Sequence, residues 1–336
     1  MKKIFLAATI SVVSIAAFAI EEASYAVNYA SKVLPYYQAA KIETMAGVNK
    51  VPVRFQIYKE DTKNCLMLFP GRQESLDKYA EVVYDLNHNK NFPVMTVMVV
   101  DHRGQGLSGR MTSNPQVGYV DQFEDYVSDV DMLFKTRLQE LGCNNYYLLA
   151  HSMGGAIGLG LLLKEQVHFK AAVFSAPMWM INTKPYPNFI ASIIGGVTTT
   201  MGQGEKYAIG QSDYLEVPLK QTTTTHSASR YEMAQNIYRK TPATIVGGVS
   251  NRWVYESLNY TKMLRQKAKD LELPIVIMQA GEDTFVKLKG HDIVCKKAKF
   301  CQKYLFPTSF HEILMEEDKI RDEAMLITSR MFADHQ

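Results

Sequence analysis

Short runs of β-strand character, mostly apolar, recur along the chain at 53–58, 65–69, 94–100, 146–150, 171–175, 275–279 and 303–306. Several are apolar almost throughout, without the alternation of a half-exposed strand. A strand of that kind belongs to a sheet covered on both faces, as a parallel sheet is by its crossover helices. Between the runs, apolar residues return at helical spacing over 75–87, 121–141, 153–164, 286–299 and 316–332. Strand and helix in alternation predict an α/β sheet wound by right-handed crossovers. The rhythm breaks over 178–258, where Pro185, Pro187, threonine runs and several glycines intervene. This stretch keeps Trp179, Tyr186, Phe189, Ile193 and Tyr207, too many large apolar side chains for a solvated tether. It reads as a cap inserted over one end of the sheet, dividing the core into 20–177 and 259–336.

Lys2 and Lys3 precede an apolar run ending near Ile20, and Ala17 and Ala19 place small residues where a signal peptidase reads. Residues 1–19 are therefore expected to be a signal peptide, cut after Ala19 or alternatively after Ala26; an uncleaved anchor is the competing reading. The mature protein would be periplasmic or secreted. Composition narrows the field further. With 37 basic against 34 acidic residues the net charge is +3, too little to point to a nucleic-acid partner. Export changes how Cys65, Cys143, Cys295 and Cys301 are read, because thiols outside the cytoplasm oxidise. They allow three pairings. Cys295 with Cys301 would close a short loop and Cys65 with Cys143 would join two strand starts, while free buried thiols remain open as well. None has CxxC spacing or clustered companion ligands, so no metal is expected.

The richest segment is Tyr146-Tyr147-Leu148-Leu149-Ala150-His151-Ser152-Met153-Gly154-Gly155. A strand runs into a serine flanked two residues away by Ala150 and Gly154, and a helix follows. This is the pattern of a nucleophile elbow, in which a strained turn presents the serine and the flanking positions must be small for strand and helix to approach. Ala150 stands where glycine is usual. Gly106-Leu107-Ser108-Gly109 imitates the motif without a following helix, so Ser108 is read as a loop residue. A nucleophilic serine needs a base and an orienting acid, in the chain order serine, acid, histidine. Ala280-Gly281-Glu282-Asp283 follows an apolar strand and nominates Asp283, with Glu282 as rival. His311 lies on the loop after the last strand and is the expected base. His291 falls within a helical pattern and is expected to be exposed. The oxyanion would be met by the backbone N–H of Met153 and by that of Arg72, in the tight turn after the 65–69 strand.

On these residues the chain resembles the α/β-hydrolase superfamily, and within it the bacterial lysophospholipases related to monoacylglycerol lipases. Pro70-Gly71-Arg72-Gln73-Glu74-Ser75 with Lys78-Tyr79 looks like the lysophospholipase form of the oxyanion loop. Thr225-His226-Ser227, Arg230-Tyr231, Gly247-Gly248-Val249-Ser250 and Trp253 look like its cap, although Val249 stands where proline is expected. The resemblance implies an α/β-hydrolase fold, a mostly parallel sheet with helices on both faces and an inserted cap. It also implies hydrolysis of the single acyl ester of a lysophospholipid through an acyl-serine, with no metal or organic cofactor. A monoacylglycerol lipase or broad carboxylesterase is the alternative. An inactive lipid-binding protein would be expected to have lost part of the Ser152, Asp283 and His311 set, and all three are present. In the cap, Trp179, Phe189 and Ile193 are the candidate contacts for the acyl chain or for peripheral membrane contact; ordinary packing of cap on core is the competing reading.

Overall fold

The computed structural model describes residues 20–89 and 92–336. The expected signal peptide therefore lies outside the described residues. The alternative cut after Ala26 falls inside a helical turn, α1 (Tyr25–Asn28), whose Tyr25 is buried.

Eight strands form one sheet: β1 (Lys41–Ala46), β2 (Pro52–Tyr58), β3 (Asn64–Phe69), β4 (Thr96–Val100), β5 (Asn145–His151), β6 (Phe169–Ser175), β7 (Pro274–Ala280) and β8 (Phe300–Phe306). Their order is β1-β2-β4-β3-β5-β6-β7-β8. β2 runs antiparallel to both neighbours, and β3 to β8 are mutually parallel. The central strands are buried on both faces because residues of one strand feed two separate apolar layers. From β3, Cys65, Met67 and Phe69 join one cluster, and Leu66 and Leu68 the other. The first layer is covered by α4 (Phe123–Leu133), α5 (Ser152–Glu165), α8 (Asn251–Lys267) and α9 (Leu288–Lys297). The second is covered by α3 (Ala80–His88) and α10 (Asp318–Ala333). Continuous apolar strands were expected for this reason.

Two features were not anticipated. β1 is an edge strand with an exposed-leaning pattern, Lys-Ile-Glu-Thr-Met-Ala, which carries little apolar signal. The N-terminal segment, α1 and then α2 (Leu34–Ala39), packs through Ile20, Tyr25 and Val33 onto Ala80, Tyr84 and Met233. The inserted region is more helical than its proline and threonine content suggests. It contains α6 (Asn188–Thr198) and α7 (Ala228–Lys240), and α8 begins within it and continues into the core.

Several residues read from the sequence as parts of a cap signature prove to be anchors. Ser227 caps α7, its Oγ accepting from the Arg230 amide at 3.2 Å. Arg230 is buried against Glu81 and Asp318, tying the cap to α3 and α10. Ser250 caps α8 by accepting from Trp253 N–H at 3.1 Å. Removing such caps typically costs about 1 kcal/mol. The cysteines form Cys65–Cys143 and Cys295–Cys301, choosing one of the three open pairings.

Candidate active site

The site stands at the carboxyl ends of the parallel strands, where open α/β sheets gather their functional loops. At the β5–α5 junction Ser152 has φ of 49°, a left-handed conformation that a non-glycine residue adopts only under constraint. The constraint is visible in the glycines that follow. A Cβ on Gly154 would lie 2.4 Å from the Phe69 carbonyl oxygen, and one on Gly155 would lie 2.6 Å from Pro177 Cβ. The helix can start this close to the end of β3 and to the chain after β6 only because those positions carry no side chain. Ala150, in place of the usual glycine, is accommodated fully buried in the core.

Ser152 Oγ lies 2.8 Å from His311 Nε2, and His311 Nδ1 lies 2.6 Å from Asp283 Oδ2. The carboxylate beside Nδ1 favours the proton there, leaving Nε2 to accept the serine hydroxyl. Asp283 is itself fixed by the amides of Phe285 and Val286, which donate to Oδ1 at 2.8 and 2.9 Å. Burial tends to raise this carboxyl, but His311 and the two amides outweigh it and hold the group below the usual range. Glu282, the rival acid, is exposed, and its amide donates to Ser309 O. Such a relay can raise the nucleophilicity of a hydroxyl and stabilise the imidazolium that forms when the proton moves.

The loop after β3 leaves one amide available. Gly71 N–H donates to Glu74 Oε2 at 2.5 Å, and Gln73 N–H donates to Gln105 Oε1 at 2.7 Å. Arg72 N–H, between them, has no acceptor among the described residues. Met153 lies in the first turn of α5, where amides lack intrahelical acceptors. The Arg72 amide and this first-turn amide of Met153 are the donors that the geometry makes available to the oxyanion proposal.

A buried cluster supports this loop, joining Glu74, Lys78 and Tyr79 of the motif quoted above to Glu312, which nothing in the sequence placed with them. Glu74 accepts from Gly71 N–H, from Lys78 Nζ at 2.7 Å and from Tyr79 Oη at 2.7 Å. Lys78 also meets Glu312, beside His311, at 2.7 Å. Burial disfavours the Glu74 charge, but Lys78 and the hydrogen bonds from Lys78 and Tyr79 bring its pKa down to about 2. The i,i+4 spacing of Glu74 and Lys78 was available in the sequence; the approach of Glu312 was not. His151 is buried, with its ring 4.9 Å from that of His311. Burial lowers its pKa to about 4, so His151 itself adds no positive charge beside an imidazolium at His311 near neutral pH.

Two sequence expectations are corrected. His291 is fully buried rather than exposed: α9 packs its inner face over the end of β6, and His291 Nε2–H donates to Pro177 O at 2.7 Å. Trp179 is no acyl contact. It is wholly buried, its indole N–H donates to Gly155 O at 3.0 Å, and its ring packs against Phe174. Ser108 is a loop residue as expected, donating to Asp101 O at 2.6 Å.

Ser152 and His311 open into a cleft of about 1000 Å³ roofed by the inserted region. Met178, Ile181, Ile194, Val254 and Leu258 supply apolar lining, while Arg72, Gln73 and Gln211 supply polar lining. Phe189 and Ile193 do not line it. They lie on the outer face of α6, 66% and 60% exposed, whereas Ala191, Ile194 and Gly195 of the same helix face the cleft. Among the described residues no helix is long and apolar enough to cross a membrane, and no group of three or more acidic, histidine or cysteine side chains is placed to hold a metal ion.

A family model described as serine aminopeptidase, S33 (Hydrolase_4) matches residues 60–318. Lysophospholipase L2 of Escherichia coli (strain K12) is 33% identical over 298 residues, 86% of either chain. The probable lysophospholipase L2 of Haemophilus influenzae is 30% identical over 294 residues, 87% of this chain and 91% of the relative. A highly thermostable carboxyl esterase from Bacillus coagulans shares the fold with a TM-score of 0.70 over 88% of this chain and 99% of its own, at 15% identity. The matched span takes in the loop after β3, Ser152, Asp283 and His311, and the chain belongs to the S33 family of α/β hydrolases.

Proposed function

We propose that this carboxylic ester hydrolase cleaves the single acyl ester of lysophospholipids through an acyl-serine intermediate. Ser152 Oγ attacks the ester carbonyl carbon while its proton passes to His311 Nε2, and the carbonyl oxygen becomes an oxyanion facing the Arg72 and Met153 amides. Asp283 stabilises the imidazolium. Collapse expels the glycerol oxygen, which takes the proton from His311 and leaves the acyl group on Ser152. Water then attacks the acyl-serine with His311 as base, and the fatty acid departs. The observation that carries the choice of substrate is the 33% identity to a lysophospholipase over 86% of both chains, extending through the cap as well as the core. The cleft supports it, offering an apolar wall for one chain beside a polar wall at the reacting serine.

Two further parts of the reading concern where the enzyme works. Export, with removal of residues 1–19, is supported by the basic and apolar start of the sequence and by two disulfides, which persist in oxidising compartments. Contact with a lipid surface is supported by Phe189, Ile193, Val197 and Met201, exposed large side chains at near-helical spacing beside the cleft.

The test is turnover of purified protein on lysophosphatidylcholine, on a monoacylglycerol of the same chain and on a short nitrophenyl ester. A kcat/KM highest on the lysophospholipid is expected. Preference for the monoacylglycerol would reassign the enzyme as a monoacylglycerol lipase, and preference for the short ester as a broad carboxylesterase.

A further inference from the structure

The cation of Arg72 stands apart from the other buried cations. Arg54, Arg103, Arg230, Arg321 and Lys78 each face at least one carboxylate. Arg72, half-buried in the wall of the cleft, faces none: Nη1 donates to Gly247 O at 2.7 Å and Nη2 to Gln73 Oε1 at 3.0 Å, both neutral acceptors. Its guanidinium carbon lies over the Trp253 ring, 6.0 Å from the centroid. Arg110 and Arg265 also end on carbonyl oxygens, but neither lines the cleft. A guanidinium has five donors, and these two bonds use two of them. Withdrawing a cation from water without a counter-charge is costly, and an anion entering the cleft would offset that cost. The same residue carries, on its main chain, the amide assigned to the oxyanion. A ligand whose ester lies at Ser152 therefore has the guanidinium within one arginine side chain of its carbonyl. In a lysophospholipid the ester and the phosphate are held on one glycerol, a comparable separation, and guanidinium groups match phosphate oxygens in bidentate geometry.

We propose that the Arg72 side chain is the subsite for the phosphodiester of the lysophospholipid headgroup and makes the enzyme discriminate against neutral monoacylglycerols. The proposal rests on the lysophospholipase reading and deepens it. Burial lowers the Arg72 pKa only to about 10, so the cation is present at working pH.

The experiment uses the full-length enzyme and variants Arg72→Met, Arg72→Lys and Lys184→Ala. Lys184 is an exposed lysine on the rim of the same cleft. The first readout is the inhibition constant of glycerophosphocholine against nitrophenyl ester hydrolysis, with glycerol as the neutral control. The wild type should be inhibited competitively, and Arg72→Met should weaken that inhibition about tenfold to a hundredfold, the loss expected for one charge-assisted contact. Arg72→Lys should recover part of it and Lys184→Ala should change it little. The second readout is the ratio of kcat/KM on lysophosphatidylcholine to that on the matching monoacylglycerol, which should fall by a similar factor in Arg72→Met. Because this is a ratio within one protein, a general effect of the substitution on the oxyanion loop cancels. Equal loss on both substrates with unchanged inhibition would reduce Arg72 to a tie between the loop and Gly247 and overturn the proposal. So would inhibition by inorganic phosphate as strong as by glycerophosphocholine, or an equal effect from Lys184→Ala. Inhibition that depends on Arg72 in an enzyme that turns over only monoacylglycerol would instead sink the lysophospholipase reading and leave the anion subsite standing.

Discussion

Replacing Gly154 by alanine perturbs the elbow without touching a reacting group. The added Cβ would lie 2.4 Å from Phe69 O and 2.5 Å from Pro70 O, both main-chain atoms that no rotamer change can move aside. Reaching even a 3.0 Å contact requires the loop and the helix to part by about 0.6 Å. Both sides of that gap matter to catalysis, since Ser152 and Met153 start the helix and Arg72 follows the displaced carbonyls. A misplacement approaching 1 Å at a reacting geometry costs about 10²-fold, so a fall in kcat of roughly 10- to 100-fold is expected on a soluble nitrophenyl ester. Overpacking of this kind destabilises by about 1–3 kcal/mol, which a thermal melt would register as a shift of a few degrees. Gly142→Ala is the control. Its φ is +69° with nothing within 4 Å of an added Cβ, so it should lose about 1 kcal/mol through backbone strain and keep its kcat. A Gly154→Ala enzyme with wild-type kcat and melting temperature would refute the reasoning, because the elbow would then tolerate the separation argued to be critical.

Ser152→Ala should abolish turnover with the fold intact, and Asp283→Asn should lower kcat by about 10³ to 10⁴ while Glu282→Gln stays near wild type; the reverse order for the two acids would move the acid by one residue. Glu74→Ala should lower kcat on every ester and destabilise by about 1–3 kcal/mol, since it leaves the Gly71 amide and the Tyr79 hydroxyl without their acceptor while Lys78 keeps Glu312; kinetics and melting both near wild type would remove the support assigned to it. His151 and His291 are held neutral by burial, with folded pKa values of about 4 against 6.5. Their contribution to stability is full above pH 6.5 and is lost as the pH falls toward 4, on the order of 3 kcal/mol each, so melting temperature should drop across that window and drop less in His291→Gln. A wild-type melting temperature unchanged from pH 7 to 4.5 would contradict this. Replacing Phe189 and Ile193 together by serine should reduce activity on long-chain lysophospholipid in vesicles and leave short-ester turnover and melting unchanged, because both side chains are exposed; equal loss on both substrates would return them to cap packing.

Much of this enzyme is legible in one dimension because its physics is local. β3 to β7 are recognisable since a strand covered on both faces must be apolar along its length, and the elbow is recognisable since Ser152 needs a strand before it, a helix after it and small neighbours. Asp283 and His311 follow from chain order once the serine is placed. Interactions that depend on distant elements had no such signature. His291 looks like a polar residue of a surface helix until α9 is seen to close over Pro177. Trp179 looks like a lipid contact until its indole N–H is found on Gly155 O. The outward turn of Phe189 and Ile193 is decided by which face of α6 meets α8 and the cleft. The Glu74, Lys78 and Glu312 cluster is assembled from the loops after β3 and β8, brought together by the sheet. The sequence by itself determined the fold class and nominated Ser152, Asp283 and His311, which the structure brings within hydrogen-bond reach, because apolar burial and backbone strain restrict residue type at each position. Tertiary structure alone decided which amides stay free, which charges find partners and which apolar side chains face the cleft, because each depends on what the folded chain carries to the other side of a contact.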